Sequence, residues 1–264
     1  MFRNLQKPDL PEECLSVVIP VYNEEKTLSD IVHRVLELRQ VLEIIIVDDC
    51  SKDRSPEIAQ KLAKENSKVR YVRQPKNEGK TAALRTGFAM TRGEIVIVQD
   101  ADLEYDPSEI PDVIDPIVNG HADVVYGSRF MVKRAARVIY FYHYIANKWL
   151  TFFSNMLTNL NMTDVETCYK AFRGSIIRSM VITSRGFGVE IEVTAKIAKL
   201  GCAIYEVPIS YYGRTYEEGK KIGMKDGLEA LWFIVKFNLF CGLKSSFKQV
   251  PELGATTTPQ PTRS

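Results

Sequence analysis

The chain has 264 residues, 45% of them hydrophobic and 26% charged, an ordinary globular mixture that excludes a disordered or fibrous protein. Lysine and arginine total 35 against 33 acids, a net charge of +2, too small an excess for an electrostatically driven binder, so no nucleic acid is expected as a partner. The 5 cysteines stand far apart with no Cys-x-x-Cys pair and the 3 histidines are dispersed, which excludes a disulfide framework or a zinc cluster and reads as reduced thiols in a cytosolic protein.

Residues 1–13 form a polar leader with no apolar core, unlike a signal peptide. Short runs rich in β-branched residues at 15–20, 43–47, 69–72, 94–98 and 123–126 predict buried strands. Helical patterns lie between them, at 24–38 (Leu28, Ile31, Val32, Val35 and Leu38 on one face), 53–64 (opening on Ser55-Pro56), 81–90 and 107–118. Strands alternating with helices imply parallel crossovers and an open sheet covered on both faces. Ligands of such sheets bind at the carboxyl ends of the strands. Residues 137–160 carry seven aromatics (Tyr140, Phe141, Tyr142, Tyr144, Trp149, Phe152, Phe153), with apolar residues at helical spacing and a separate polar stripe. Lys133, Arg134 and Arg137 flank it, which describes a helix lying in the head-group plane of a membrane; a core helix or a homo-oligomer interface would use the same stripe. Residues 231–240 are a second such segment. Neither reaches the ~20 apolar residues of a membrane span. A shorter strand-and-helix region is expected over 163–212. The domain is placed at 14–242 and a disordered tail at 243–264, ending GATTTPQPTRS.

The strand ends carry the chemistry. The first ends in Pro20-Val21-Tyr22-Asn23-Glu24, the second in Val47-Asp48-Asp49-Cys50-Ser51, and the fourth in Gln99-Asp100-Ala101-Asp102-Leu103-Glu104. Carboxylates at i and i+2 of an extended segment point to one side. Hard divalent ions such as Mg²⁺ or Mn²⁺ bind through such a pair plus substrate phosphates. Gly79-Lys80-Thr81 resembles the end of a phosphate-binding P-loop, but that motif needs a glycine where Gln74 stands. Lys80 is therefore placed at the rim of a nucleotide pocket or at a helix start.

The ordered set PVYNE, VDDCS, QDADLEYDP and GSR resembles the family 2 glycosyltransferases of the GT-A (nucleotide-diphospho-sugar) fold, and within them the polyprenyl-phosphate hexosyltransferases such as the dolichol-phosphate mannose synthases. The resemblance implies a Rossmann-like mixed α/β sheet with helices on both faces. It also implies roles. Pro20, Tyr22, Glu24, Val47 and Asp49 would hold the nucleoside, with Ala101 and Lys80 beside the nucleotide sugar. Asp100 and Asp102 would bind the metal and diphosphate. Glu104 stands where the mannose synthases usually carry glutamine. Arg129 would meet the acceptor phosphate, and His143 and Asn147 occupy positions that supply an arginine and a serine to that phosphate. Arg214 and the loop with Lys220 and Lys221 would close over the phosphates.

The resemblance thus implies an inverting, metal-dependent hexosyltransferase, peripheral on the cytoplasmic face of a membrane. It would move mannose from GDP-mannose to dolichyl or undecaprenyl phosphate and leave a β-linked lipid-phospho-sugar. Family 2 enzymes that act on hydroxyl groups usually show a Glu-Asp base after the sheet. Here that region reads Thr163-Asp164-Val165-Glu166-Thr167-Cys168. A lipid monophosphate, with a second pKa near ~6, needs no base. Three alternatives stay open: UDP-glucose or another UDP-sugar as donor; a saccharide acceptor with Glu190 or Glu192 as base, unless both are merely exposed on their helix; and a non-catalytic nucleotide-sugar binder.

Overall fold

The computed structural model describes residues 11–131, 138, 140–213 and 224–253. Seven strands form one sheet: β1 (Leu15–Val21), β2 (Val41–Asp48), β3 (Val69–Arg73), β4 (Ile95–Val98), β5 (Val124–Ser128), β6 (Lys170–Arg173) and β7 (Ile204–Pro208). Their spatial order is β3-β2-β1-β4-β6-β5-β7. Six run in one direction, and β6 is inserted antiparallel between β4 and β5. The five strands expected from sequence are all present; β6 and β7 fall in the region read only as mixed.

The helices are α1 (Leu28–Leu36), α2 (Ser55–Glu65), α3 (Lys80–Met90), α4 (Ile110–Val118), α5 (Phe141–Thr158), α6 (Gly174–Ser179), α7 (Val189–Leu200), α8 (Met224–Leu239) and α9 (Leu243–Ser246). Strand side chains alternate between faces, and both faces are covered. Val17, Ile19, Ile44, Ile46, Ile95 and Ile97 pack with Ile31, Val32 and Val35 of α1 and Val113, Ile114 and Ile117 of α4. Val18, Val96 and Val98 pack the other way, against Leu84 and Phe88 of α3, Ile176 and Ile177 of α6, and Val193 and Ile197 of α7. This is why the strands read as unbroken apolar runs.

α1 begins four residues later than the pattern at 24–38 suggests. Its approach is spent on cross-links between strand ends: the Glu24 amide donates to Ser55 Oγ (2.9 Å), the Glu25 amide to Asp53 Oδ2 (3.0 Å), and the Asn23 amide to Ser51 Oγ (3.0 Å). Part of the tail expected at 243–264 packs on the domain, over residues 243–248, and residues past 253 lie outside the described ones. After α9, Phe247 is buried and bridges Met180, and the Lys248 amide donates to Ser179 O (2.7 Å).

α5 is turned inside out for a globular helix. Its buried positions are Thr151, Ser154 and Thr158, whereas Phe141, Tyr142, Trp149, Phe152 and Met156 face outward. Its partly buried Leu150, Phe153 and Leu157 join Phe233, Ile234 and Phe237 of α8 and Ile191 and Ala195 of α7 in a separate small core. On α8 the outward residues include large apolar ones again, Leu228, Trp232, Val235 and Leu239, followed by Phe240, with Glu229 among them. No helix among the described residues is long and apolar enough to cross a membrane.

Candidate active site

A cleft of about 420 Å³ opens at the carboxyl ends of β1, β2 and β4. The turns that build it are tight. Asn23, Cys50 and Leu103, one after each of these strands, take left-handed backbone with φ of 57°, 62° and 62°. Asparagine visits that region readily, whereas for cysteine and leucine it is strain of the kind held at functional sites. Asp49 takes the amides of Glu78 and Gly79 on its two oxygens (2.9 and 2.7 Å), which ties the loop before α3 to the end of β2. Burial nevertheless pushes its carboxyl above the usual range. Gly79, at φ +86°, lets that loop approach Gly186: a side chain there would stand 3.2 Å from the Gly186 Cα. Thr81 closes the contact, its amide (3.0 Å) and hydroxyl (2.9 Å) both donating to Gly186 O.

Of the residues singled out from sequence, Pro20, Tyr22, Glu24, Asp49, Lys80, Asp100, Ala101, Asp102, Glu104 and Arg129 all line this cleft. Val47 does not. It is fully buried with Ile45 and Ala83 beneath α3, because a strand covered on both faces leaves only residues past its end to meet a ligand. His143 and Asn147 stand outside the lining on α5, though the Asn147 Oδ1 accepts a hydrogen bond from Arg129 Nη2 (3.1 Å) and its Nδ2 donates to His143 O (2.7 Å). Arg214, Lys220 and Lys221 lie outside the described residues.

Lys80 is the hub. Its ammonium lies 2.8 Å from Asp100 Oδ1, 2.9 Å from Cys168 Sγ and 3.6 Å from Glu190 Oε1. Burial alone would lower its pKa; Asp100, Cys168 and Glu190 outweigh that and hold it well above the usual lysine range. Arg129 is fixed by Asp164 in a two-pronged pair at 2.7 Å to each oxygen, with Asp164 wholly buried. Burial opposes that charge too, and Asp164 overrides it. Arg129 is therefore a buried, oriented cation and not the surface ion pair that an arginine usually makes. Its guanidinium also lies 5.3 Å over the ring of Tyr211, whose hydroxyl donates to Glu104 Oε2 (2.9 Å).

Several lining residues were not singled out from sequence: Asn77, Tyr105, Glu166, Cys168, Phe187 and Tyr211. Tyr105 lies within the QDADLEYDP motif and Glu166 and Cys168 within the stretch read for a base, whereas Asn77, Phe187 and Tyr211 come from loops outside the motifs and are gathered by the topology. Glu166 lies in the stretch where no base was recognised, yet burial, then Glu190, push its carboxyl up to about 7. Glu190 is buried and lines the cleft. Glu192, by contrast, is consumed inside the fold, accepting from the amides of Thr183 and Ser184 (2.8 and 2.7 Å). Neither is merely exposed on its helix.

Among the described residues, seven carboxyl groups (Glu24, Asp49, Asp100, Asp102, Glu104, Glu166, Glu190) line the cleft against two cations, Lys80 and Arg129. A diphosphate entering that field needs additional positive charge. Asp100 and Asp102 offer oxygen ligands suited to Mg²⁺ or Mn²⁺. Among the described residues no three ligating side chains form a ready-made metal site, so the donor set fits an ion shared with substrate phosphates and not one caged by protein alone.

A mixed sheet of this order, with an Asp-x-Asp pair past β4 and the cleft at its carboxyl edge, defines a nucleotide-diphospho-sugar transferase fold. The protein belongs to glycosyl transferase family 2, whose model matches residues 16–180. It is 34% identical over 225 residues to undecaprenyl-phosphate 4-deoxy-4-formamido-L-arabinose transferase of Pseudomonas aeruginosa, covering 81% of this chain and 62% of that protein. It is 31% identical to dolichol-phosphate mannosyltransferase of Pyrococcus furiosus (79% of this chain, 59% of that one) and 30% identical to undecaprenyl-phosphate mannosyltransferase of Micrococcus luteus (78% and 86%). The chain thus spans about three fifths of the first two. Among solved structures, glucosyl-3-phosphoglycerate synthase from Mycobacterium tuberculosis with Mn²⁺ and UDP-glucose superposes with a TM-score of 0.66 at 21% identity, covering 86% of this chain and 79% of that one. That likeness shows the shared fold.

Proposed function

We propose that the protein transfers a glycosyl group from a nucleotide-diphospho-sugar to a polyprenyl phosphate, with inversion at the anomeric carbon. The observation that carries this reading is the adjacency of two unlike surfaces. The acid-rich cleft ends at Arg129, Arg129 hydrogen-bonds Asn147 of α5, and α5 turns its aromatic side chains outward. A charged donor site thereby borders a surface suited to lipid. The names of the Pseudomonas, Pyrococcus and Micrococcus relatives, each a sugar transferase of undecaprenyl or dolichol phosphate, support the same acceptor class.

In this reading Asp100 and Asp102 would hold Mg²⁺ or Mn²⁺, which would supply positive charge against the nucleoside diphosphate. Lys80 adds positive charge beside Asp100. Arg129, and Arg214 with Lys221 by resemblance, face phosphate oxygens, and Asp164 keeps Arg129 aimed. A phosphate oxygen of the lipid forms the new bond to the anomeric carbon as the bond to the diphosphate breaks. No proton has to be removed, because the phosphate is mostly dianionic at neutral pH. Mannose from GDP-mannose is the first choice of sugar, which the Pyrococcus and Micrococcus relatives favour; glucose from UDP-glucose, or a formamido-arabinose, is the competing assignment.

Incubating the protein with radiolabelled nucleotide sugars, Mn²⁺ and undecaprenyl or dolichyl phosphate in vesicles tests this. An acid-labile lipid-linked product is expected, with Asp102→Ala reducing its formation at least about 100-fold. Absence of lipid product from every common nucleotide sugar rejects the reading. One observation favours a second reading, a saccharide acceptor. The Glu166 carboxyl, near 7, is poised to take a proton from a hydroxyl, and transfer to free sugars without lipid would support it.

A further inference from the structure

Two carboxyl groups of the cleft have oxygens with no hydrogen-bond partner among the described residues: Oε1 of Glu166 and Oε2 of Glu190. Both atoms are buried, and the Glu190 side chain as a whole is 6% exposed. An unpaired buried carboxylate oxygen costs roughly 1–3 kcal/mol or more, so a fold keeps two side by side only where something else completes them. The two come from different elements, the loop before β6 and the first turn of α7, and both face the cleft. Lys80 links the pair to the carboxylate assigned to the diphosphate, its ammonium 3.6 Å from Glu190 Oε1 and 2.8 Å from Asp100 Oδ1. Glu190 therefore stands one ammonium group away from that carboxylate, and Glu166 is near enough to Glu190 to feel its charge.

That is where the sugar of a bound nucleotide sugar must lie, since its anomeric carbon is joined to the terminal phosphate. We propose that Glu166 and Glu190 form the subsite for the ring hydroxyls of the transferred sugar, gripping neighbouring free hydroxyls. The inference rests on the nucleotide-sugar reading of the cleft and assigns which residues read the sugar. Burial, then the charge of Glu190, raise the Glu166 carboxyl to about 7, so it can keep its proton near neutral pH. It can then donate to one hydroxyl while a carboxylate oxygen accepts from another. A site built this way rejects a donor lacking either hydroxyl, because the carboxyls are left unpaired again.

Calorimetric titration of the full chain in Mn²⁺ buffer with UDP, UDP-glucose, GDP and GDP-mannose tests the assignment. Glu166→Gln and Glu190→Gln should each lower the affinity for whichever sugar nucleotide binds by about ten-fold relative to its diphosphate, while diphosphate affinity stays within about two-fold. The wild type gives a readout independent of variant folding: monodeoxy versions of the bound donor should lose about ten-fold at the one or two gripped positions, and no others. An unchanged sugar-to-diphosphate ratio in both variants, or monodeoxy donors that all bind like the parent, overturns the proposal. So does normal donor binding with only turnover lost, which would make one of the pair a base acting on the acceptor. Failure of the diphosphates themselves to bind would instead remove the nucleotide-sugar reading, and the subsite with it.

Discussion

Glu166 carries a measurable thermodynamic signature. Its carboxyl is raised from 4.5 to about 7 by burial and by Glu190. Below the lower value both folded and unfolded chains hold the proton. Between the two values the unfolded chain releases it while the folded chain keeps it, so stability falls as pH rises through this window. Glu166→Gln should therefore match the wild type below pH 4.5 and exceed it by about 3 kcal/mol at pH 8, read by chemical denaturation. A wild type that gains on the variant as pH rises would contradict this. Asp164→Asn leaves the Arg129 guanidinium buried without its countercharge, and a loss of about 3 kcal/mol is expected in the same measurement. At this scale the motifs led to the cleft lining where a residue sits just past a strand, as with Tyr22, Asp49, Asp100 and Arg129. Val47 is not in that lining because it is still inside a doubly covered strand. Tyr105 sits inside the QDADLEYDP motif and Glu166 inside the stretch read for a base, yet residue type alone marked neither, and Tyr211 reaches the cleft only through the fold of distant segments.

Among the elements, α5 shows why periodicity does not by itself assign an environment. The spacing of Tyr142, Ile145, Trp149, Phe152 and Met156 is that of any amphipathic helix. Which side faces inward was undetermined until Thr151, Ser154 and Thr158 were found buried, their hydroxyls turned to local partners such as the bond from Thr158 Oγ1 to Ser154 O (2.8 Å). The outward side then has no protein to cover it among the described residues, and α8 extends the same apolar surface. Replacing Phe152 and Met156 together by serine removes two exposed apolar side chains and little packing. Sedimentation with anionic vesicles should weaken more than about ten-fold, while thermal stability changes by less than about 0.5 kcal/mol. Equal vesicle binding by the variant would refute a lipid-facing role for α5. The same helix was expected at 137–160 and runs Phe141–Thr158, an ordinary discrepancy at helix ends.

For the whole molecule, the parallel strand-helix alternation of the first half was legible because each strand is a compact apolar run bounded by turn residues. The second half was not, since β6 and β7 are short and lie far in sequence from the strands they join. The position of β6 also has a consequence for how the chain emerges from the ribosome. β1 to β4 can assemble as soon as they are made, but β5 borders only β6 and β7, both synthesised later. Until residues 170–173 arrive, the nascent protein presents one side of β4 and all of β5 without hydrogen-bonded neighbours, the condition under which strands recruit other chains. Nascent chains released before Lys170 should aggregate, and those released after Pro208 should do so far less, as read by centrifugation of translation products. An antiparallel strand threaded late into a parallel sheet thus makes completion of the fold wait on the second half of translation.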